Sequence, residues 1–174
     1  MWYIILWVGV IVYLNHLASN FAANRAKRIP DQPLPDILHD VCPAWDNHIP
    51  DYLLFVCIVY AMLGGSYPST VDWYNLLTCL TWRPVFICLT TFPTCYASGV
   101  EHDEGSLYGR LFLRKHDLMF SGHTCWFVFI GRLIGGVTGG MVQFLFPFSL
   151  VCARYHYTLD IIVAMMVYEF VSNF

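Results

Sequence analysis

Charged residues are scarce in this sequence, and their scarcity argues against an ordinary soluble domain. Asp, Glu, Lys and Arg make up 12% of the 174 residues, against roughly 25% in a typical soluble domain, whereas hydrophobic residues make up 57%. The small net charge of -3 provides no strongly basic surface, so we expect no nucleic-acid partner. The chain has no internal repeat and no low-complexity tract, and its length predicts that residues 1–174 form a single domain.

Metal-binding patterns are missing as well. The seven cysteines include no pair of doublets with zinc-ligand spacing, and the histidines are too few and too scattered for a zinc site. We therefore predict neither a metal nor a cofactor. Five cysteines lie within apolar runs and are expected to be small buried hydrophobes. Cys42 and Cys95 lie in loops and can form a disulfide if those loops face an oxidising lumen.

Long apolar runs dominate what is present. They predict an all-α fold, that of a polytopic membrane protein with about six transmembrane helices, or five as the alternative. A span needs roughly 20 residues, so the second and fifth runs must borrow flanking residues or lie in thinned bilayer. No basic region precedes the first run and no small-residue cleavage site follows it, which favours a retained span over a signal peptide. The six runs are Met1–Leu17, Asp51–Gly65, Val71–Phe92, Leu118–Ile134, Met141–Cys152 and Tyr157–Phe174.

The connectors between these runs alternate in length. Those after the first and third runs are long and polar (18–50 and 93–117), whereas those after the second and fourth are short and rich in glycine. With six spans, the mouths of the fourth and sixth spans lie on the same side of the membrane. His123 lies at the first of these mouths, and His156 with Asp160 lies at the second.

These three residues suit the making and breaking of a phosphohistidine. His156 and Asp160 are four residues apart, a spacing that stacks two side chains on one helix face. A carboxylate that is hydrogen-bonded to one imidazole nitrogen fixes the tautomer of the ring and leaves the other nitrogen free to attack phosphorus. His123 follows Ser121 and Gly122, where a tight turn lets backbone N–H groups approach an anion. There His123 can protonate a leaving alkoxide and later deprotonate an acceptor hydroxyl.

Each pattern alone is weak, because a histidine at a membrane edge is more often an interfacial polar residue than a catalyst. Their occurrence together on one side, each at a helix mouth, favours a catalytic site. Three apolar residues at these mouths, Phe120, Tyr155 and Tyr157, are candidates to hold a lipid backbone. Basic side chains on the same side can hold phosphate oxygens; these are Arg110, Arg114, Lys115 and Arg154.

The motif Phe120–Thr124, followed by His156–Asp160, resembles the sphingomyelin synthase family within the lipid phosphate phosphatase superfamily. Two further stretches resemble the same family in the same order. Pro33–Asp36 is similar to its Leu-Pro-Asp stretch after the first span. Arg83 with Thr90–Pro93 is similar to the arginine and Thr-Thr-x-Pro at the end of its third span.

This resemblance implies a multi-pass enzyme of the Golgi, endoplasmic reticulum or plasma membrane, with its catalytic side lumenal or exoplasmic. The enzyme transfers a phospho-head group from a glycerophospholipid to ceramide and releases diacylglycerol, so its partners are membrane lipids. Phosphocholine, phosphoethanolamine and phosphoinositol all remain open as the head group, and so does a homo-oligomeric state.

By position, the resemblance makes His156 the nucleophile, Asp160 its partner and His123 the acid–base residue. The family also has an aspartate where Asp117 stands, six residues before His123. The sequence departs from the family at Arg154, which replaces a histidine, and at Lys115-His116, which replaces Cys-Gly. The predicted substrate-binding residues are Asp117, Arg114, Arg154, Ser121 and Gly122.

Two alternatives have weaker support. The first is a lipid phosphate phosphatase, with water as acceptor. That family typically has a lysine seven residues before the arginine that corresponds to Arg83, and an arginine six residues before the second histidine. This chain has Leu76 and Leu150 at those two positions. A non-catalytic membrane scaffold would not need the intact histidines. The distribution of charge conflicts with the lumenal catalytic side that the resemblance implies. Basic residues cluster on the catalytic side, and the positive-inside rule places such a side in the cytosol. We favour the lumenal side implied by the resemblance, because some of these charges can serve phosphate binding.

Overall fold

The computed structural model describes residues 2–28, 32–46, 48–93, 95 and 118–173. Within these ranges the regular secondary structure is entirely helical, so the prediction of an all-α fold is confirmed for them. The helices in chain order are α1 (Trp2–Ala26), α2 (Ile37–Val41), α3 (Ile49–Leu63), α4 (Thr70–Leu89), α5 (Gly122–Ile134), α6 (Gly136–Phe144), α7 (Phe148–Cys152) and α8 (Thr158–Ser172).

Local side chains determine where several helices begin. Ser69 Oγ accepts the N–H of Asp72 at 3.2 Å and the Asp72 carboxylate accepts the N–H of Ser69 at 2.8 Å, a capping box that starts α4. Ser121 Oγ accepts the N–H of Thr124 at 3.2 Å and starts α5. Pro147, which has no N–H to donate, lies between α6 and α7, so the fifth apolar run is interrupted there.

Helix α1 runs parallel to α4. Trp7 packs edge-on against Tyr74 near the start of both helices, with ring centroids 5.5 Å apart. Arg25 donates to the carbonyl oxygen of Cys88 at 2.8 Å near the end of both. Both helices therefore end at the same end of the molecule.

Helices α3, α5 and α8 begin at that same end, which we call the site end. Asp51 in the first turn of α3 bonds His123 in the first turn of α5. Arg83, near the end of α4, donates to a carbonyl just before α5. At the opposite end, Arg132 of α5 and Glu169 of α8 form an ion pair with a separation of 2.6 Å. Of the long helices, α1 and α4 thus run towards the site end, whereas α3, α5 and α8 run away from it.

Helix α5 supplies much of the core, where its buried Phe127 belongs to one cluster with Leu76 and Ile161. It also lies against α6 with backbone touching backbone: a Cβ placed on Gly131 would lie 2.6 Å from the carbonyl oxygen of Gly139. Only glycine permits so close an approach. This packing holds α5, and with it the site at its first turn, in place.

Large apolar side chains cover the outer faces of the helices. Leu63 is 85% exposed, Trp2 76% and Met166 66%. Extended apolar surfaces of this kind mark contact with a membrane or another protein. Among the described residues, α1 is the one helix both long and apolar enough to cross a membrane, with 25 residues and a mean hydropathy of 1.6 over an 18-residue window. Shorter apolar helices are α3 and the segment Gly136–Cys152.

Candidate active site

His156 lies buried in the turn between α7 and α8. Its Nδ1 is 2.8 Å from the carbonyl oxygen of Leu118 and 3.4 Å from Oδ2 of Asp160. Because a carbonyl oxygen can only accept, the neutral ring carries its proton on Nδ1 and keeps the lone pair on Nε2. His156 precedes α8, so the two side chains do not stack on one helix face as their spacing predicted. Instead, the carboxylate turns back from the first turn of α8.

Asp160 both orients His156 and caps its own helix. Its Oδ2 accepts the N–H of Tyr157 at 2.9 Å, which satisfies a donor at the start of α8. The residue is fully buried, and its Oδ1 has no hydrogen-bond partner among the described residues. A buried carboxylate oxygen without a partner is costly, and such exceptions concentrate where a ligand or a proton is handled.

His123 forms a second histidine–carboxylate pair, with a residue that the sequence analysis missed. Its Nε2 is 2.9 Å from Oδ1 of Asp51, and the two side chains are 25% and 29% exposed. The ring of Tyr155, the residue before His156, lies nearly parallel to that of His123, with centroids 6.4 Å apart. Both histidines are therefore next to Tyr155 at the site end. The signal for Asp51 was an acidic side chain at the first residue of an apolar run.

Backbone strain is concentrated beside the two histidines. Among the described residues, the non-glycine residues with positive φ are Phe120 (73°) and Arg154 (60°), which lie three residues before His123 and two residues before His156. The buried Phe120 is held by ring stacking on Phe86, with centroids 5.3 Å apart, and by Arg83 Nε, which donates to its carbonyl oxygen at 3.1 Å. Strained conformations persist only where surrounding contacts fix them, and they cluster at active sites.

Three distant parts of the chain meet at Tyr157 and Thr158. The hydroxyl of Tyr157 accepts the N–H of Leu34 at 2.9 Å and donates to the carbonyl oxygen of Pro93 at 3.1 Å. Thr158 donates its N–H and its hydroxyl to the two carboxylate oxygens of Asp36, both at 2.7 Å. Burial opposes ionisation of Asp36, but the bonds from Thr158 and from the N–H of Leu38, with the nearby His39, together lower the pKa of the carboxyl group. The start of α8 is thereby fixed to the segment around α2.

Helix α2 also supports the backbone of His156. His39 Nε2 donates to the carbonyl oxygen of His156 at 3.1 Å, because a carbonyl can only accept. Burial lowers the pKa of His39, which favours the neutral ring. Sequence reasoning missed His39, since nothing in its local pattern distinguishes it from an ordinary polar residue.

The predicted substrate-binding residues are distributed unevenly around the site. Arg154 Nη2 donates to the carbonyl oxygens of His39 and Cys42 at 2.7 and 3.1 Å, while its Nη1 is buried without a partner among the described residues. The N–H of Ser121 lies 3.5 Å from the carbonyl oxygen of Asp160. A Cβ on Gly122 would lie 3.4 Å from Arg83 Nε. The remaining ones, Asp117 and Arg114, lie outside the described residues, as do Arg110 and Lys115.

The proposed lipid-holding residues are packed inside the protein instead. Phe120 is fully buried, Tyr155 is 9% exposed and Tyr157 is 4% exposed, so their rings offer little surface to a lipid. The suggested Cys42–Cys95 disulfide is absent, because both thiols are free. Cys95 packs against Tyr157, and the thiol of Cys42 lies against that of Cys152 instead.

No group of three or more His, Cys, Asp or Glu side chains within the described ranges is arranged to hold a metal ion. Comparison with family models, curated proteins and solved structures finds no match to this chain. The function of this chain is therefore inferred from its motifs and from the geometry of the site.

Proposed function

We propose that this chain is a polytopic membrane enzyme of the sphingomyelin synthase type. It transfers a phospho-head group from a glycerophospholipid to ceramide, releases diacylglycerol, and carries the head group on His156 between the two steps. The head group is phosphocholine, phosphoethanolamine or phosphoinositol.

The observation that carries the proposal is the convergence of separate sequence blocks on one site. The stretches that resemble the family lie far apart in the chain, yet Leu34 and Pro93 both bond Tyr157, and Ser121 approaches Asp160. A fold that only needed stability would not require these blocks to surround two histidine–carboxylate pairs.

The directions of the helices support six membrane crossings. Helices α1 and α4 end at the site end, whereas α3, α5 and α8 begin there. A chain that crosses a bilayer repeatedly requires these directions, with the apolar segment Gly136–Cys152 as the returning fifth crossing between α5 and α8. The 15 residues of α8 span roughly 22 Å at about 1.5 Å per residue, less than the ~30 Å hydrocarbon core. Flanking residues and local thinning of the bilayer make up the difference.

The first step is attack by His156 Nε2 on the donor phosphorus. The P–N bond forms, the bond from phosphorus to the glycerol oxygen breaks, and a proton from His123 passes to that oxygen. The Leu118 carbonyl and Asp160 hold the Nδ1–H of His156 and stabilise the charged ring. Arg154 Nη1, which lacks a partner among the described residues, is available to a phosphate oxygen.

The second step returns the head group to a lipid. His123 takes the proton of the ceramide hydroxyl, the hydroxyl oxygen attacks phosphorus, and the P–N bond breaks to free His156. A positioned hydroxyl outcompetes free water because its effective concentration is far higher. The partial exposure of the His123–Asp51 pair nevertheless favours water access, so a lipid phosphodiesterase is the second candidate.

A transfer assay tests this function. Membranes that contain the chain receive a head-group-labelled phospholipid, with and without ceramide. We expect label in a ceramide-derived lipid only when ceramide is added, and we expect His156→Ala to abolish both this product and the phosphoenzyme. The control is His48→Ala, which removes an exposed imidazole at the start of α3. Label that appears only in the aqueous phase, at a rate indifferent to ceramide, would make the chain a phosphodiesterase.

Sidedness has its own test. A glycosylation acceptor inserted near Glu101–Gly105 lies in the connector between α4 and α5, and one inserted at Gly64–Ser66 lies in the turn between α3 and α4. We expect modification of the first alone, because we place the catalytic side in the lumen. Modification of the second alone would place the site in the cytosol, as the distribution of basic residues suggests.

A further inference from the structure

A cavity lies beside the catalytic groups, between the first half of α3, the α6–α7 corner and α7. Its volume is about 540 Å³, within the range of ~300–1,000 Å³ that is usual for ligand sites. Its described walls are apolar and include Trp45, Ile49, Leu53, Leu145 and Phe148. With no charged side chain among its described lining residues, the cavity suits an uncharged, apolar ligand.

One hydroxyl group interrupts this apolar lining. Ser149, on α7, is 3% exposed, and its Oγ has no hydrogen-bond partner among the described residues. A helical serine can satisfy its hydroxyl by bonding a carbonyl one turn earlier, and Ser149 does not. Since an unpaired buried hydroxyl lowers stability, its presence in the wall of a cavity indicates a partner that arrives with the ligand.

The cavity shares its walls with the elements that hold both histidines. Ile49 and Leu53 are four residues apart on α3 and line the cavity, while Asp51, the partner of His123, belongs to the same turn and projects from another face of that helix. On the other side, Cys152 ends α7 and accepts the N–H of Trp45 at 2.9 Å, and His156 follows four residues later. A lipid chain bound in the cavity would therefore lie against the same helices that position the catalytic groups.

We propose that this cavity binds the amide-linked acyl chain of the lipid acceptor, with Ser149 Oγ hydrogen-bonded to the amide. The inference rests on the proposed function, since it assigns one substrate of that site to a place. The acceptor ceramide is neutral and carries an amide, which matches an apolar cavity with one hydroxyl. The donor phospholipid carries a charged head group and ester-linked chains, which match it less well. This assignment also replaces the buried Phe120, Tyr155 and Tyr157 as the lipid-holding surface.

Photocrosslinking tests the assignment without needing turnover. The probes are a ceramide and a phosphatidylcholine, each with a diazirine in its acyl chain, applied to the His156→Ala protein in membranes. We expect the ceramide probe to label residues of α3 and α7, unlabelled ceramide to compete, and Leu53→Trp to reduce labelling at least tenfold by filling the cavity. The matched control is Leu63→Trp on the same helix, where the side chain is 85% exposed and labelling should be unchanged.

Ser149→Ala tests the contribution of the hydroxyl independently of the apolar walls of the cavity. In the active protein we expect its KM for ceramide to rise several-fold while its KM for the phospholipid stays constant. Should Leu53→Trp fail to accumulate, the sites labelled in the His156→Ala protein decide the question. Labelling of α3 and α7 by the phosphatidylcholine probe alone, or ceramide labelling confined to other helices, would overturn the inference even if transfer activity is normal. Labelling as expected in a protein that never transfers a head group would instead overturn the proposed function.

Discussion

The two histidine–carboxylate pairs at the site end differ in how they meet solvent. The side chains of His156 and Asp160 are 8% and 0% exposed and 3.4 Å apart, whereas those of His123 and Asp51 are 25% and 29% exposed and 2.9 Å apart. The buried pair is fixed by backbone groups at Leu118 and Tyr157. The open pair is held by contact between two helix ends. A fixed ring suits a nucleophile, and an accessible ring suits a group that exchanges protons with two successive substrates.

The largest effect that distinguishes the pairs should come from Asp160→Asn. An asparagine can still accept the N–H of Tyr157, so the cap of α8 is kept while the carboxylate charge is lost. We expect the transfer rate to fall by about 10³–10⁴-fold, as for the orienting aspartate of a catalytic triad, with little change in thermal stability. Phosphoenzyme formation measured in a single turnover should fall equally.

The matched change for stability is Asp160→Ala, which removes the cap as well. That variant should lose thermal stability in addition to activity, since a buried N–H loses its acceptor. If Asp160→Asn transferred head groups at the normal rate, Asp160 would be a helix cap only and the buried pair would have no catalytic role.

We expect substitutions in the open pair, His123 and Asp51, to lower the transfer rate less than Asp160→Asn does. Removing general acid–base assistance typically costs 10²–10⁴-fold, so we expect His123→Ala to lower kcat within that range. We expect Asp51→Asn to lower it by about tenfold to a hundredfold, because the ring remains but loses its orienting partner. KM for both lipids should stay constant, and the pH dependence of kcat should change for each variant. Asp46→Asn, which changes an exposed carboxylate just before α3, is the control.

A different result would reassign the open pair. A rise in KM with kcat unchanged in His123→Ala would mean that this histidine binds substrate and does not transfer protons. Equal losses in Asp51→Asn and Asp160→Asn would remove the distinction between an open and a buried pair.

The difference between the pairs also shows what sequence reasoning could and could not reach. His156 and Asp160 are close in sequence, so their spacing predicted their contact, although a capping turn and not a helix face brings them together. Asp51 and His123 are separated by 72 positions, and only tertiary packing of α3 on α5 joins them. The apolar runs likewise predicted where the helices form. Pro147 marks the interruption of the fifth run in the sequence itself, whereas the short α2, inside a polar connector, depends on packing.

The smallest effect that we expect is a pH dependence of thermal stability. It depends on His39, which supports the backbone of His156 in the buried pair. Burial holds the pKa of His39 below its ordinary 6.5, although nearby Asp36 and Asp40 oppose this shift and Arg154 adds to it. The unfolded chain then binds a proton more readily than the folded one, so stability is retained above pH 6.5 and decreases as pH falls towards the folded pKa. The pKa of Asp36 is also lowered, but its contribution to stability is lost only at pH values below 3.8.

Between pH 6.5 and 5, we therefore expect thermal unfolding of the detergent-solubilised protein to shift to lower temperature. His39→Gln should flatten this dependence, because an amide can donate to the His156 carbonyl without titrating, while the exposed His48→Gln should leave it unchanged. Equal slopes in the wild type and His39→Gln would show that the α2 segment does not connect pH to the buried pair.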